Sequence, residues 1–221
     1  MRGLLLVVIV AAASSARGAD RSSSAGYFPL RVGNWWSYEE QDEDGKALSR
    51  ETWLLVEEGD AHAGEFHLRS SAKRLDALGG VQKHWVVNEY LRATGDGVHK
   101  RYPAGREAEV DVMLFHEPAT AGTQWRDAQG RCEVVSEGTP CAGPRGELPR
   151  CLVIVCRLGD PAATIVTSTY ASGIGMVRQD VEVVQLVPGL GGGSPAGLLP
   201  ADVSKGGRST LRLTGYHVTS P

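Results

Sequence analysis

Short runs in which apolar and polar residues alternate recur along the chain, with glycine-rich or aspartate-rich turns between them. This period of two is typical of β-strands in a sheet that has one buried face. We predict strands at 35–38, 51–57, 65–71, 84–94, 97–102, 109–115, 131–137, 151–157, 163–170, 175–187 and 210–218, and one short helical turn at 71–78. The connections are short, and hairpin-length connections join only antiparallel neighbours. The sequence therefore predicts an all-β, mainly antiparallel fold of roughly eleven strands, arranged as a curved sheet, a partly open barrel or a sandwich.

The first predicted hairpin has Asp44-Gly45 at its turn, a favoured dipeptide for a two-residue loop. A turn centred there places Trp36 opposite Trp53, and we interpret the two indoles as core. A carbohydrate-stacking platform would use the same residues. Trp36, Trp53 and Trp85 are therefore the candidate ligand-facing aromatics.

All four cysteines lie in the segment 131–157, which is predicted as two strands joined by a long loop rich in glycine and proline. If Ser136 lies opposite Leu152, antiparallel pairing places Val134 opposite Ile154 and Cys132 opposite Cys156, and it brings these two cysteines within reach of a disulfide. Cys141 and Cys151 would then close the loop. The nested pairs 132–156 and 141–151 are our choice among the three connectivities that four cysteines allow, and spacing alone does not decide between them.

A metal site is the alternative interpretation of these cysteines. Structural zinc usually takes pairs of ligands two to four residues apart, whereas eight, nine and four residues separate the successive cysteines here, with no neighbouring histidine. A catalytic cysteine needs a nearby base, and the local sequence offers none. Structural disulfides are favoured.

The first nineteen residues have the layout of a cleaved signal peptide: a basic start at Arg2, an apolar run at 4–13, and small residues up to Ala19. The run is too short for a permanent membrane anchor, and no later stretch is a candidate membrane span. No cysteine follows for lipid attachment. We expect an exported protein, periplasmic or extracellular, in an oxidising compartment that suits paired cysteines.

The remaining chain is predicted as a disordered lead at 20–26 and a single antiparallel β domain at 27–221. Within it, 188–208 is rich in glycine and proline and is predicted as a flexible loop. A phosphate-binding loop is the competing interpretation, but the G-x-x-x-x-G-K-[ST] spacing is missing. The net charge is −3, and loss of Arg2 and Arg17 with residues 1–19 makes it −5. Without a clustered basic patch, nucleic acid is not an expected partner.

Catalytic and metal-binding motifs are not found. The six histidines are scattered, without H-x-x-x-H or H-x-H pairs, and the G-x-S-x-G motif of exported serine hydrolases is absent. A glycosidase with paired catalytic carboxylates stays an open alternative, because such carboxylates are usually distant in sequence. We expect a protein that is not an enzyme, with no catalytic residues, no metal and no cofactor.

Three phrases together carry a resemblance: YFPLRVGNWWSY at 27–38, LFHEPATAGTQW at 114–125 and TYASGIGMV at 169–177. The combination resembles a loose group of uncharacterised secreted bacterial proteins, often lipoproteins, with Y-x-P-L-x-x-G-x-x-W-x-Y and Y-A-x-G-(V/I)-G-(M/L)-V phrases. This chain differs from the lipoprotein members because it lacks the lipidation cysteine. The resemblance implies an antiparallel sheet and an exported location, and it brings no activity with it.

Three hypotheses of function follow. The first is an exported non-enzymatic envelope or extracellular protein that binds an apolar ligand or a partner protein. The second is a structural or interaction module without a small ligand, which an exposed apolar patch or an unpaired edge strand would favour. The third is an enzyme whose residues come from several strands, which needs at least two convergent titratable groups with perturbed pKa values.

Overall fold

The structure is a computed structural model that describes residues 26–56, 65–103, 109–159, 164–184 and 207–219. Within them the chain forms twelve β-strands and no α-helix. The strands are β1 (Trp35–Asp42), β2 (Ala47–Val56), β3 (Glu65–Leu75), β4 (Val81–Thr94), β5 (Gly97–Pro103), β6 (Glu109–His116), β7 (Gln124–Arg126), β8 (Gly130–Gly143), β9 (Gly146–Leu158), β10 (Thr164–Ala171), β11 (Gly175–Val183) and β12 (Gly207–His217). The prediction of an all-β antiparallel fold is confirmed.

All twelve strands belong to one antiparallel sheet, in the order β6-β5-β4-β3-β2-β1-β12-β11-β10-β9-β8-β7. The sheet curls into a nearly closed barrel, and the seam between its two end strands, β6 and β7, has no ladder pairing. Side chains span this seam instead. The Trp125 indole donates a hydrogen bond to the Met113 carbonyl oxygen at 3.1 Å, and the Met113 amide donates to Asp127 Oδ2 at 3.3 Å.

The sheet has an inner face and an outer face, set by the period of two in each strand. In β1 the inner side chains Trp36, Tyr38 and Glu40 are buried, whereas Ser37 and Glu39 between them face outward and are half-buried. The first hairpin has the predicted register, with Trp36 opposite Trp53. This register fixes which side chains of β1 and β2 share a face.

Two strand assignments differ from the prediction. Residues 71–75 are not helical but continue β3, and Asp76 then forms the turn by accepting hydrogen bonds from the Leu78 and Gly80 amides, both at 2.8 Å. The twelfth strand is β7, only three residues long, which was missed because so short a run shows no alternation.

The cysteine hairpin is longer and more regular than predicted. The strands β8 and β9 run through the expected loop and leave only Pro144 and Arg145 between them. Val134 lies opposite Ile154 as predicted, but the expected pairing of Ser136 with Leu152 is wrong, because a bulge at Val135 shifts the register by one residue.

Both disulfides are present in the nested arrangement. Cys132 is bonded to Cys156, and Cys141 is bonded to Cys151. The first pair lies within the sheet. The second clamps the distal part of the hairpin, where β9 before Cys151 pairs, among the described strands, only with β8.

Several predicted segments lie outside the described residues. These are the signal peptide at 1–19, all of the lead at 20–26 except Gly26, and the loop at 188–208 except its last two residues. Gly207 and Arg208 belong to β12 rather than to a loop. Within the part of the chain that the structure describes, no helix is long and apolar enough to cross a membrane.

Candidate functional site

One half of the barrel interior is filled by aromatic side chains. We call this set the aromatic cluster: Tyr27, Phe28, Trp36, Tyr38, Phe115 and Tyr170. Their exposed fractions are between 0 and 6%. The rings contact one another, with centroids 5.3 Å apart for Phe28 and Trp36 and 4.4 Å apart for Phe115 and Tyr170. Such close packing leaves no room for a ligand among these six rings.

The aromatic cluster brings together the three phrases that carry the resemblance. The Trp36 indole donates to the Ile174 carbonyl oxygen, and the Tyr38 hydroxyl donates to the Met176 carbonyl oxygen at 3.0 Å. The Gly173 amide donates to the Gly26 carbonyl oxygen at 2.7 Å. These hydrogen bonds join the first and third phrases, and the contact of Phe115 with Tyr170 joins the second phrase to the third. The three phrases therefore stabilise one another in the folded protein.

Glycine is required at position 175, where the first and third phrases meet. Gly175 has a positive φ of 113°, and a Cβ atom there would lie 2.9 Å from Trp36 Nε1. Any larger residue would therefore combine backbone strain with a clash against the indole.

The three candidate ligand-facing tryptophans do not come together. Trp36 is fully buried in the aromatic cluster, and Trp53 is buried with its ring 4.6 Å from that of Tyr38. Trp85 is half-buried on β4, with Lys83 Nζ 5.9 Å from its ring centroid. A ligand role for these residues stays a prediction, whereas Trp36 and Trp53 have an evident role in packing.

The rest of the described interior combines buried aliphatic side chains, such as Leu68 and Leu91, with a group of charged residues. Carboxylates from three strands lie there with one buried ammonium group, and we call this set the acidic interior: Glu40, Glu51, Glu89 and Lys100. Ser49 Oγ donates to Glu40 Oε2 at 2.9 Å, and the Trp53 indole donates to Glu51 Oε2 at 3.0 Å. Lys100 Nζ donates to Glu89 Oε1 at 3.1 Å.

The environment shifts the titration of these groups. Burial raises the pKa of Glu51 to about 7, reinforced by the negative charges of Glu40 and Glu89 and opposed by the Trp53 hydrogen bond and by Lys100. Burial also raises the pKa of Glu40, although hydrogen bonds from Ser49 and Ser209 favour its charged form. Glu51 therefore changes its charge near neutral pH.

The aromatic cluster contains two tyrosines with raised pKa values. Burial raises the pKa of Tyr170 to about 12, and burial followed by repulsion from Tyr170 and Glu51 raises that of Tyr38 well above its usual range. Both phenols are neutral hydrogen-bonding groups at physiological pH. Among the described residues no group of three or more histidine, cysteine or acidic side chains is placed to hold a metal ion.

The outer face carries a groove that runs across the strands. In three neighbouring strands a small hydroxyl residue lies between two larger residues on the same face. The three sets are Trp35, Ser37 and Glu39 in β1, Leu54, Thr52 and Arg50 in β2, and Arg69, Ser71 and Lys73 in β3. The register places Ser37 opposite Thr52, and Thr52 opposite Ser71. The small side chains therefore align as a floor between two rows of longer ones.

This outer groove has a volume of about 550 Å³. Its hydroxyl groups come from Ser37, Thr52, Ser71 and Thr214, and the turn after β3 lies at one end. Ser37 Oγ is 3.4 Å from Thr52 Oγ1, Ser71 Oγ is 2.9 Å from His84 Nε2, and Thr214 Oγ1 donates to the Ser37 carbonyl oxygen at 3.0 Å. A hydroxyl group has one donor and two acceptor sites, so these contacts leave hydrogen-bonding capacity on the floor.

Taken together, the longer side chains beside the floor carry a net positive charge. The one acidic residue in the three sets, Glu39, already accepts hydrogen bonds from Arg50 at 3.2 Å and from Gln41 at 3.0 Å. Arg69, Lys73 and Arg212, by contrast, are exposed and have no ion-pair partner within the described ranges. On a protein of net charge −3, the outer face around the groove, where Arg50, Arg69, Lys73 and Arg212 surround Glu39, is thus a local region of positive charge.

Part of the residue pattern that forms this groove is visible in the sequence. The large-small-large order on one face of each strand is visible in 35–39, 50–54 and 69–73. The alignment of the three small residues depends on the register of β2 against β3, and no turn motif at 57–64 fixed that register from the sequence. Sequence reasoning therefore found the individual strands but missed the groove.

Comparison with known proteins assigns no family. No protein-family profile matches the chain, and no curated protein matches it. Among solved structures the chain is similar to a candidate exported protein with a YmcC-like fold from Bacteroides fragilis, at 11% identity and a TM-score of 0.47 over 86% of this chain and 98% of that one. It is also similar to a candidate lipoprotein from Parabacteroides distasonis, at 12% identity and a TM-score of 0.48 with the same coverage. At these values the likenesses identify neither an activity nor a ligand.

Proposed function

We propose that this chain is an exported, non-enzymatic binding protein of the cell envelope or extracellular space, and that it contacts its ligand or partner through the outer face of the barrel. The outer groove carries this proposal, because it joins unsatisfied hydrogen-bonding capacity to unpaired positive charge on an accessible surface. Export is supported by the two disulfides, which suit an oxidising compartment, and by the signal-peptide layout of residues 1–19.

If the protein instead carried an apolar ligand inside the barrel, it would need a continuous apolar cavity. The described interior is occupied by the aromatic cluster, by buried aliphatic residues such as Leu55, Leu68 and Leu91, and by the charged groups of the acidic interior. The outer face is the better supported surface.

Native mass spectrometry tests this proposal. The mature protein, exported and purified from the envelope fraction, is compared with its denatured mass and with a Thr52→Trp variant that blocks the groove. Aromatic residues suit exposed strand positions, so this variant is expected to fold. Thr169→Trp, on the outer face of β10, is the matched control.

A bound molecule or partner that the wild type and Thr169→Trp retain and Thr52→Trp loses supports the proposal. A ligand that survives in Thr52→Trp lies elsewhere and overturns the assignment to the outer groove. A bare protein in every preparation, with no partner recovered after cross-linking in the envelope, overturns the binding function.

A structural module that joins another chain is a second candidate, and the edge of β4 favours it. Residues 81–89 pair with β3 on one side, whereas β5 pairs only with 90–94. Within the described chain this stretch is a free edge, and it exposes Val81 and Val86. If it joins chains, the wild type is larger than a monomer in light scattering and Val86→Lys is monomeric, because an edge lysine opposes strand addition.

An enzyme is the third candidate, and the acidic interior is the observation that favours it. Glu40 and Glu51 face the same interior, and both have raised pKa values. Each already accepts a hydrogen bond from a neighbouring side chain and is largely buried. We therefore propose that these carboxylates act in the electrostatics of the fold rather than in catalysis.

A further inference from the structure

We propose that the outer groove binds an anionic oligosaccharide, a chain of sugar rings that carries carboxylate groups. This inference rests on the proposed binding function and names the ligand class of the same site. It is drawn from the register of the floor, the chemistry of its side chains and the charge beside it.

The floor is suited to a row of sugar rings. Ser37, Thr52 and Ser71 lie on adjacent strands, so their side chains repeat at the strand spacing of about 4.8 Å. This spacing is comparable to the repeat of sugar rings along an extended oligosaccharide. Serine and threonine hydroxyls, like those of sugars, both donate and accept hydrogen bonds, so each ring can be matched at a successive position.

The positive charge beside the floor selects an acidic ligand. Lys73 lines the outer groove, and Arg50 lies next to it across the β2–β3 pair. In the same row of outer residues, Arg212 lies opposite Glu39 across the β1–β12 pair. A neutral oligosaccharide would accept only single hydrogen bonds from these cations, whereas carboxylates on the rings would pair with their charge as well and bind more strongly.

A polypeptide fits this groove less well. Extended peptides usually add to a sheet through the backbone groups of an edge strand. The outer groove instead crosses β12, β1, β2 and β3, which all have partner strands on both sides. Its floor offers side-chain hydroxyls rather than free backbone groups.

A lipid surface also fits less well. Membrane contact needs apolar side chains continuous with the basic ones, and the floor between the basic residues is made of hydroxyls. The turn at one end of the groove exposes Leu78 (95%) and Val81 (58%), and a lipid surface would contact these two residues. Vesicles are therefore included in the test.

Isothermal titration calorimetry with oligogalacturonate tests the inference on the full mature protein. The comparison ligand is the same oligomer with its carboxyl groups methyl-esterified, which keeps the rings and removes the charge. We expect binding to oligogalacturonate that weakens as salt is raised, and at least tenfold weaker binding to the ester.

Two variants remove one feature each. Thr52→Val keeps the shape and strand preference of the residue and removes only a hydroxyl, and Lys73→Ala removes one cation. Each is expected to weaken binding by about three- to tenfold. The controls are Thr169→Val and Arg157→Ala, which make the same changes on the outer faces of β10 and β9, and neither is expected to alter the affinity.

The competing outcomes are distinct. If the protein binds the ester, or polyglutamate, as tightly as it binds oligogalacturonate, then binding does not require both the sugar ring and the carboxylate. That result overturns the inference. Binding to phosphatidylglycerol vesicles that Leu78→Ser abolishes, without binding to oligogalacturonate, shows a membrane surface instead. No binding to any of these probes also overturns the inference, while the proposed binding function is decided separately by the ligand or partner recovered from the envelope.

Discussion

The Tyr38 hydroxyl donates a hydrogen bond to the carbonyl oxygen of Met176, which is 138 residues away in the chain, at a distance of 3.0 Å. The bond crosses the barrel interior from β1 to β11, two strands that are both paired with β12 but not with each other. It joins the first and third of the three resemblance phrases. A cross-link of this kind holds two non-adjacent strands at a fixed distance, which the ladder hydrogen bonds between adjacent strands do not do by themselves.

Removing this hydroxyl is expected to destabilise the protein. Tyr38→Phe keeps the ring and leaves the buried Met176 carbonyl oxygen without this donor, which costs about 1–2 kcal/mol. The measurement is the free energy of unfolding in urea. Tyr216→Phe is the control, since the half-buried Tyr216 makes no hydrogen bond through its hydroxyl within the described chain, and it is expected to change stability little. Equal effects for the two variants would contradict a role for the bond.

Glu51 is expected to make the stability depend on pH. Its folded pKa of about 7 lies above the usual 4.5, so the folded state binds the proton more tightly than the unfolded state does. This contribution to stability is complete below about pH 4.5 and is lost as the pH rises through 7. Glu51→Gln removes the ionisation and keeps an acceptor for the Trp53 indole. It should therefore stabilise the protein by about 2–3 kcal/mol at pH 8 and hardly at all at pH 4.5.

Urea unfolding of both proteins across this pH range measures the effect of Glu51. Glu147→Gln, at an exposed position on β9, is the control, and its difference from wild type should stay flat with pH. If the stability difference between Glu51→Gln and the wild type also did not change with pH, Glu51 would have the same pKa in the folded protein as in the unfolded chain.

Gly175 is expected to tolerate no side chain. In Gly175→Ala the new Cβ atom adds a clash with Trp36 Nε1 to the strain of a positive φ, and we expect a loss of about 2–4 kcal/mol. Gly146→Ala is a matched control, since Gly146 has a φ of 123° but open space where the Cβ atom would lie. It should cost only the backbone strain, about 1–2 kcal/mol. Thermal unfolding followed by tryptophan fluorescence compares the two, and equal losses would mean that the contact with Trp36 relaxes freely.

The two disulfides are expected to contribute unequally. Cys132–Cys156 closes a separation of 24 residues and Cys141–Cys151 one of 10. In the chain-entropy model their removal costs about 3.5 and about 2.7 kcal/mol. Double alanine variants of each pair, unfolded in urea, measure the difference. Loss of Cys141–Cys151 should also make the distal hairpin sensitive to protease, with the rest of the barrel still folded.

Mapping of unreduced peptides provides the direct check on connectivity. It should recover Cys132 linked to Cys156 and Cys141 linked to Cys151. A Cys132–Cys141 or Cys132–Cys151 peptide would contradict the nested arrangement.

Where the local sequence contains clear turn residues, it predicted the structure well. Asp44-Gly45 set the turn of the first hairpin, and the register of Trp36 against Trp53 followed from it. The pairing of Cys132 with Cys156 was predicted from the same kind of counting. The count failed at Val135, because a bulge inserts one residue without any distinctive side chain.

Long-range relationships were not predictable in this way. The meeting of Tyr38 with Met176, the convergence of four charged residues in the acidic interior, and the alignment of Ser37, Thr52 and Ser71 each depend on the closure and register of strands far apart in sequence. A shift of one residue in any of these pairings would turn every side chain of that strand to the other face.

By itself, the sequence determined the all-β antiparallel class, most of the strands, the first hairpin and the cysteine region, because alternation and turn chemistry act between near neighbours in the chain. Only the tertiary structure decided that the sheet closes with one seam, that the three resemblance phrases form one aromatic cluster, and that three small hydroxyl residues become the floor of a groove. Those features are set by curvature and register summed over twelve strands, and no local segment contains that information.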